Sequence, residues 1–112
     1  MTAIYYITLN TSEEASQISR QLLEQNLAVC TNWFPITCAY KWQDKITEEP
    51  EIVLIVKTQL GYRQAIEQVI SQNINYTNLI AELTPQSINN SFQQWLDSVV
   101  PPVSASTKLS QD

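Results

Sequence analysis

The chain has 112 residues, 44% of them apolar, which is enough for one core and one domain but not for two. Its formal net charge is −5, with six Lys/Arg scattered singly, so nucleic acid is excluded as an expected partner. A single Gly rules out glycine-cradled phosphate loops, and the lack of any His removes Ser-His-Asp and Cys-His catalysis and the commonest zinc and copper ligand.

Ile4–Leu9 reads as a short strand rich in branched and aromatic residues. Thr11 and Glu14 have the spacing of a capping box, and the following segment from Glu13 to Asn26 is helical, with Ala15, Ile18 and Leu22 inward and Glu14, Gln17, Gln21 and Gln25 toward water. Asn26 is placed to end the helix, because Asn tolerates the left-handed conformation.

Ala28–Thr58 reads as two long strands folded back through a polar tip, Gln43-Asp44-Lys45. The first arm runs about fifteen residues, two to three times the usual strand length. Alternation puts Cys30 and Asn32 on one face and Val29, Thr31 and Trp33 on the other. Pro35 and Pro50, in opposite arms, mark edges, bulges or bends. Trp33-Phe34 is expected to form an apolar patch that a neighbouring copy buries. The near-continuous run Ile52–Val56 suits a central strand covered on both faces.

The second helix is expected over Leu60–Gln72, with Tyr62, Ala65, Ile66, Val69 and Ile70 on one face. Leu79–Thr84 is a short strand closed by Pro85. Gln86 or Ser87 then caps a last helix whose apolar face is Ile88, Phe92, Trp95, Leu96 and Val99, stopped by Pro101-Pro102. Residues 1–100 thus make one domain, and 101–112 a polar tail expected to be disordered. No apolar run reaches the eighteen or so residues of a membrane span and no secretory leader is evident, so no membrane partner is expected. The fold class is α+β: a ferredoxin-like βαββαβ sandwich with a long hairpin between its second and third strands and a C-terminal helix. A hairpin too long for its own domain, on an acidic monomer, calls for closed oligomerisation.

Several residues admit two readings. Cys30 is either a soft-metal ligand or a small buried hydrophobe, and the same holds for Cys38. About 26 Å apart on one extended arm, the two are expected as free thiols in a reducing, cytoplasmic setting. Tyr40 and Trp42 share a face, as the wall of a ligand cleft or as interface anchors. Lys57, ending an apolar strand, either holds an anion or pairs with Glu82 or another carboxylate. Glu48, Glu49 and Glu51 form an acidic cluster beside the tip, a weak cation site or a solvated edge. No nucleophile has an adjacent base and no catalytic carboxylates are paired, so no enzyme is expected.

Four stretches carry a family resemblance: EASQISRQLLEQNLA at Glu14–Ala28, AVCTN at Ala28–Asn32, AYKWQDKITEE at Ala39–Glu49 and VKT at Val56–Thr58. They resemble the CutA divalent-cation-tolerance family over roughly residues 4–100. The resemblance implies a homotrimer related in architecture to PII signalling proteins, with hairpins that extend neighbouring sheets and close clefts between subunits. It also implies a role in divalent metal (copper) tolerance, or alternatively a PII-like sensor or scaffold that takes a small anion or a protein partner in the cleft. The family pattern A-A-C-x-N is met at Ala28–Asn32, apart from Val29. Its Y-x-W-x-G-K pattern is met by Tyr40, Trp42 and Lys45, with Asp44 in place of glycine, and Lys57 matches the lysine before the second helix. Where members carry H-P-Y-x-x-P-E, this chain reads Ile74 to Ile80 and keeps only Tyr76. The implied site is therefore Tyr40, Trp42, Lys57 and Tyr76 around a small ligand, and Cys30 and Glu82 toward a metal, Glu82 standing two residues beyond the lost glutamate.

Overall fold

Thr2–Leu9 forms β1, Ser12–Glu24 α1, Cys30–Trp42 β2, Lys45–Gln59 β3, Arg63–Asn73 α2, Ile80–Leu83 β4 and Asn90–Val99 α3. The computed structural model describes residues 1–103; the expectation for the tail falls, beyond 103, outside the described residues. One sheet has the strand order β2-β3-β1-β4 with every neighbouring pair antiparallel, the ferredoxin-like arrangement.

The first helix starts and stops for local reasons. The Thr11 hydroxyl accepts from the Glu14 N–H and the Glu14 carboxylate accepts from the Thr11 N–H, each at 3.2 Å, which completes the capping box. At the other end Asn26 stands at φ 56°. The Leu27 N–H donates to the Leu22 carbonyl at 2.9 Å and the Asn26 N–H to the Leu23 carbonyl at 3.1 Å, a Schellman stop with Asn in the place glycine usually takes.

The β2–β3 ladder is unbroken from Cys30 opposite Lys57 to Trp42 opposite Lys45, so neither proline makes a bulge. The turn residues Gln43 and Asp44 sit at φ 50° and 63°, the doubly left-handed geometry of a two-residue hairpin. Asp44, where the family has glycine, occupies a conformation in which glycine is at ease. Trp42–Lys45 is the hydrogen-bonded pair that closes the turn. Alternation then makes Pro35–Ile52 and Thr37–Pro50 non-hydrogen-bonded pairs, and both prolines turn their missing donor outward. Outward is an open edge for Pro35, because β2 ends the sheet. It is open for Pro50 too, because β1 pairs with β3 only as far as Leu9 opposite Ile52.

The core lies between the sheet and the first two helices. Tyr5, Ile7, Leu9, Leu54 and Val56 face Ile18, Leu22, Ile66 and Ile70, all with 1% exposure or less. The expected helices are corrected at three points. The second helix begins at Arg63, not Leu60, because Gly61 stands at φ 106° and breaks the helical run. A side chain at Gly61 would also meet Val103 at 3.0 Å, so the chain after α3 packs back on this turn. The third helix is capped at Asn89 rather than at Gln86 or Ser87, and only Leu96 of its expected apolar face is fully buried; Trp95 and Val99 are exposed.

Placement of α3 settles which face of the sheet is covered. Thr2 and Gln59 point away from α1 and α2, and both are tied to α3. The Thr2 hydroxyl donates to Gln93 at 2.6 Å, and the Gln59 amide donates to Asp97 at 2.6 Å and to the Val100 carbonyl at 3.1 Å. These bonds to Gln59, then Gln93, hold the Asp97 carboxyl below its usual range. Leu96, Val100, Phe92, Val29 and Cys30 form a second small core there. Helix α3 therefore covers one end of the second face and leaves the rest open.

Candidate functional site

Two ladders fix the face of every candidate residue. Cys30 pairs with Lys57, Lys57 with Ile4 and Ile4 with Leu83, so this row lies on the face that α3 partly covers. Glu82 pairs with Tyr5 and lies on the opposite face, below α1 and α2. There the Tyr5 hydroxyl donates to the Glu82 carboxylate. Burial first, and then this carboxylate, pushes the Tyr5 phenol pKa far above its ordinary value. Of the readings open for Lys57, pairing with Glu82 does not occur within one protomer: one row of the ladder sends the two side chains to opposite faces. Among the described residues the one ion pair is Arg63–Glu67 at 3.3 Å, and half-buried Lys57 has no carboxylate partner.

Cys30 and Glu82 also stand on opposite edge strands. Within one protomer they do not make a joint metal site. Among the described residues no group of three or more His, Cys, Asp or Glu side chains is placed to hold an ion. Both cysteines are free, and their positions on one continuous strand keep them from bridging within the chain. They share a face, Cys30 under α3 and Cys38 toward the tip. The acidic cluster divides by the same alternation. Glu48 faces the helix side, while Glu49 and Glu51 lie beside Cys38 and Tyr40. Burial, then Glu51 and Glu49, raises the Cys38 thiol pKa, and a hydrogen bond to Glu49 is the main cause that raises the Tyr40 phenol.

Tyr40 and Trp42 lie on the open face near the tip, Trp42 64% exposed. Along the ladder Tyr40 is about 33 Å and Trp42 about 40 Å from the row of Lys57. Trp33 and Phe34 are both exposed but do not form one patch. Phe34 lies on the open face and Trp33 on the helix side, where it borders a groove beside α1. The open face therefore presents Tyr6, Phe34, Ile36, Cys38, Tyr40 and Trp42 in continuity, at the end that α3 does not reach.

Tyr76 sits on the other side of the molecule, at the start of α1. Its hydroxyl donates to Glu14 at 2.6 Å and accepts from the Asn10 N–H at 2.9 Å. It also borders a cleft of about 450 Å³ between α2 and β4, with Glu67, Ser71 and Asn78. Burial first, then the Glu14 bond, pushes its pKa up to about 12 from an ordinary 10.0. A raised folded pKa means that the protonated phenol stabilises the fold. That contribution is complete below pH 10 and is lost as pH rises toward 12. Tyr76→Phe is expected to cost about 1 kcal/mol at neutral pH. It should also reduce the alkaline loss of stability in urea unfolding followed from pH 8 to 12; an unchanged alkaline slope would contradict the assignment.

Sequence reasoning missed the two tyrosine–carboxylate pairs, because Tyr5–Glu82 and Tyr76–Glu14 join residues more than sixty positions apart. Only the first has a local signal: Tyr5 is a tyrosine in a buried strand, whose hydroxyl needs a partner.

The family profile described as "CutA1 divalent ion tolerance protein" matches residues 3–99. The "Divalent-cation tolerance protein CutA" of Archaeoglobus fulgidus is 33% identical over 96 residues, covering 85% of this chain and 94% of that protein. The solved structure of the "Periplasmic divalent cation tolerance protein CutA" from Archaeoglobus fulgidus superposes with a TM-score of 0.83, at 33% identity, over 89% of this chain and 99% of that one. The "divalent ion tolerance protein CutA1" from Ehrlichia chaffeensis gives a TM-score of 0.83 at 34% identity, over 88% and 94% of the two chains.

Proposed function

This chain belongs to the CutA1 divalent ion tolerance family, and from that premise we propose that it acts as a homotrimer in the cellular response to a divalent or soft metal ion, copper foremost. The observation that carries the assembly is the half-covered sheet. From Glu51 to Lys45, β3 has β2 on one side and no strand on the other, about 23 Å of overhang. Its open face carries the apolar row from Phe34 to Trp42. A closed ring of copies removes both liabilities at once.

The metal role draws its support from the family and from the two free thiols on the face that the ring would enclose. Neither thiol has a full ligand set in its own protomer, so the proposed contact lies between subunits, with Cys30 and Cys38 as soft donors and Glu82 outside it. Free thiols also favour a reducing, cytoplasmic location. The role is a binding one rather than an enzymatic one: on this face Cys38 stands beside Glu49 and Glu51, and its thiol pKa is raised, which keeps it protonated and poorly nucleophilic.

A second reading keeps the same assembly and puts a small anion in the cleft between subunits. It is favoured by Lys57, half-buried and without a carboxylate partner among the described residues. Tyr40 and Trp42 of one copy and Tyr76 would then line the cleft. Calorimetric titration of the purified assembly separates the two readings. Copper binding tighter than about 1 mM that Cys30→Ala abolishes supports the metal role; silence toward copper and zinc sinks it. Phosphate or nucleotide binding removed by Lys57→Ala would support the second.

A further inference from the structure

A groove of about 390 Å³ runs between α1 and the edge strand β2, on the side away from the open face. One stripe of α1 supplies Ser19, Arg20, Leu23 and Glu24, at helical spacing, and β2 supplies Thr31 and Trp33. Ser19 is 4% exposed, and among the described residues its hydroxyl is the buried side-chain atom without a hydrogen-bond partner. An unpaired buried hydroxyl is costly, and this one lines the groove.

We infer that this groove binds a small aminocarboxylate, a zwitterion with an apolar side chain. The lining fits each part of such a molecule. Arg20 and Glu24 are four residues apart, about 6 Å along the helix, and are not bonded to each other. Among the described residues neither Arg20 nor Glu24 is in a salt bridge, so both charges are free for a ligand. The carboxylate takes the Arg20 guanidinium and the Ser19 hydroxyl, and the ammonium group takes Glu24. Leu23 and Trp33, each 41% exposed, cover the side chain.

The simpler ligand classes fit less well. A plain anion meets Glu24, a plain cation meets Arg20, and a purely apolar molecule leaves Ser19 unpaired. Thr31 and Trp33 stand in non-hydrogen-bonded pairs of the ladder, so their backbone groups point to the open edge and add polar partners.

The test is calorimetric titration of the full chain with L-leucine, isocaproate and isopentylamine, with tryptophan fluorescence as a second readout. Saturable L-leucine binding is expected, at least about tenfold tighter than either singly charged analogue. Arg20→Gln and Glu24→Gln, both at exposed positions and so compatible with folding, should each weaken it by about tenfold. Ser19→Ala should weaken it while leaving the circular dichroism unchanged. Absence of saturable L-leucine binding below about 10 mM overturns the inference. Equal binding of the analogues, or indifference to both charge substitutions, overturns it as well.

Discussion

Phe34→Glu is expected to convert the proposed homotrimer to monomers. Phe34 lies on the open face of edge strand β2, opposite Val53, and is 42% exposed in the isolated chain. Burying a phenylalanine contributes about 1.5–3 kcal/mol, and a closed ring applies that term once per subunit. A carboxylate there also has to be desolvated against an apolar neighbour, with Glu49 and Glu51 on the same face to repel it. Together these raise the dissociation constant by at least about a hundredfold, since each 1.4 kcal/mol is a factor of ten. The protomer itself survives, because Phe34 stands outside the main core. Sedimentation velocity of Phe34→Glu beside Gln17→Glu, a change of like charge on the outer side of α1, reads the result. An intact assembly for Phe34→Glu would show that the open face is not the contact.

Leu54→Ala is expected to remove about 2–5 kcal/mol of stability, against the 5–15 kcal/mol that a domain of this kind usually holds. Leu54 is 0% exposed and sits between Trp33 of β2 and Ile7 of β1. It points into the core under α1 and α2, among Ile18, Leu22, Ile66 and Ile70. Strands fixed on both sides cannot slide inward, so the cavity persists and the cost falls in the upper half of that range. Urea unfolding at several protein concentrations measures it, because the midpoint of an oligomer shifts with concentration. Gln17→Ala, exposed on α1, should stay within about 0.5 kcal/mol. A loss below about 1 kcal/mol for Leu54→Ala would contradict the placement of the core.

How much of this was legible in the sequence depended on how far apart the deciding residues lie. The capping box of Thr11 and Glu14 and the left-handed stop at Asn26 are written within a few positions, and both form as read. The hairpin and its unbroken register follow from alternation on either side of one tip. The α2 boundary misled because Leu60 and Tyr62 continue the apolar spacing, while the decisive fact is the positive φ of Gly61. The face of α3 misled because periodicity defines a stripe but not which flank of it meets the sheet. Leu96 is covered and Trp95 is left outside.

The candidate site was less legible still. Whether Lys57 meets Glu82 depends on two registers at once, β1 on β3 and β1 on β4, and no local pattern carries either. Glu14 and Gln21 were read as water-facing, yet Glu14 accepts from Tyr76 and Gln21 exchanges hydrogen bonds with Asn73 of α2. Polar residues on an outer helix stripe look alike in sequence whether they meet solvent or a distant partner. The residues that build the scaffold are mostly local in their logic. Those that would hold a ligand are brought together only by the ladders or by a neighbouring copy.

In the proposed assembly the half-covered sheet is one third of a closed ring. Sedimentation equilibrium of the unmodified protein at micromolar concentration tests it most directly. A single species of three 12.8 kDa chains is expected; a monomer of 12.8 kDa, well folded and without aggregates, would rule the ring out.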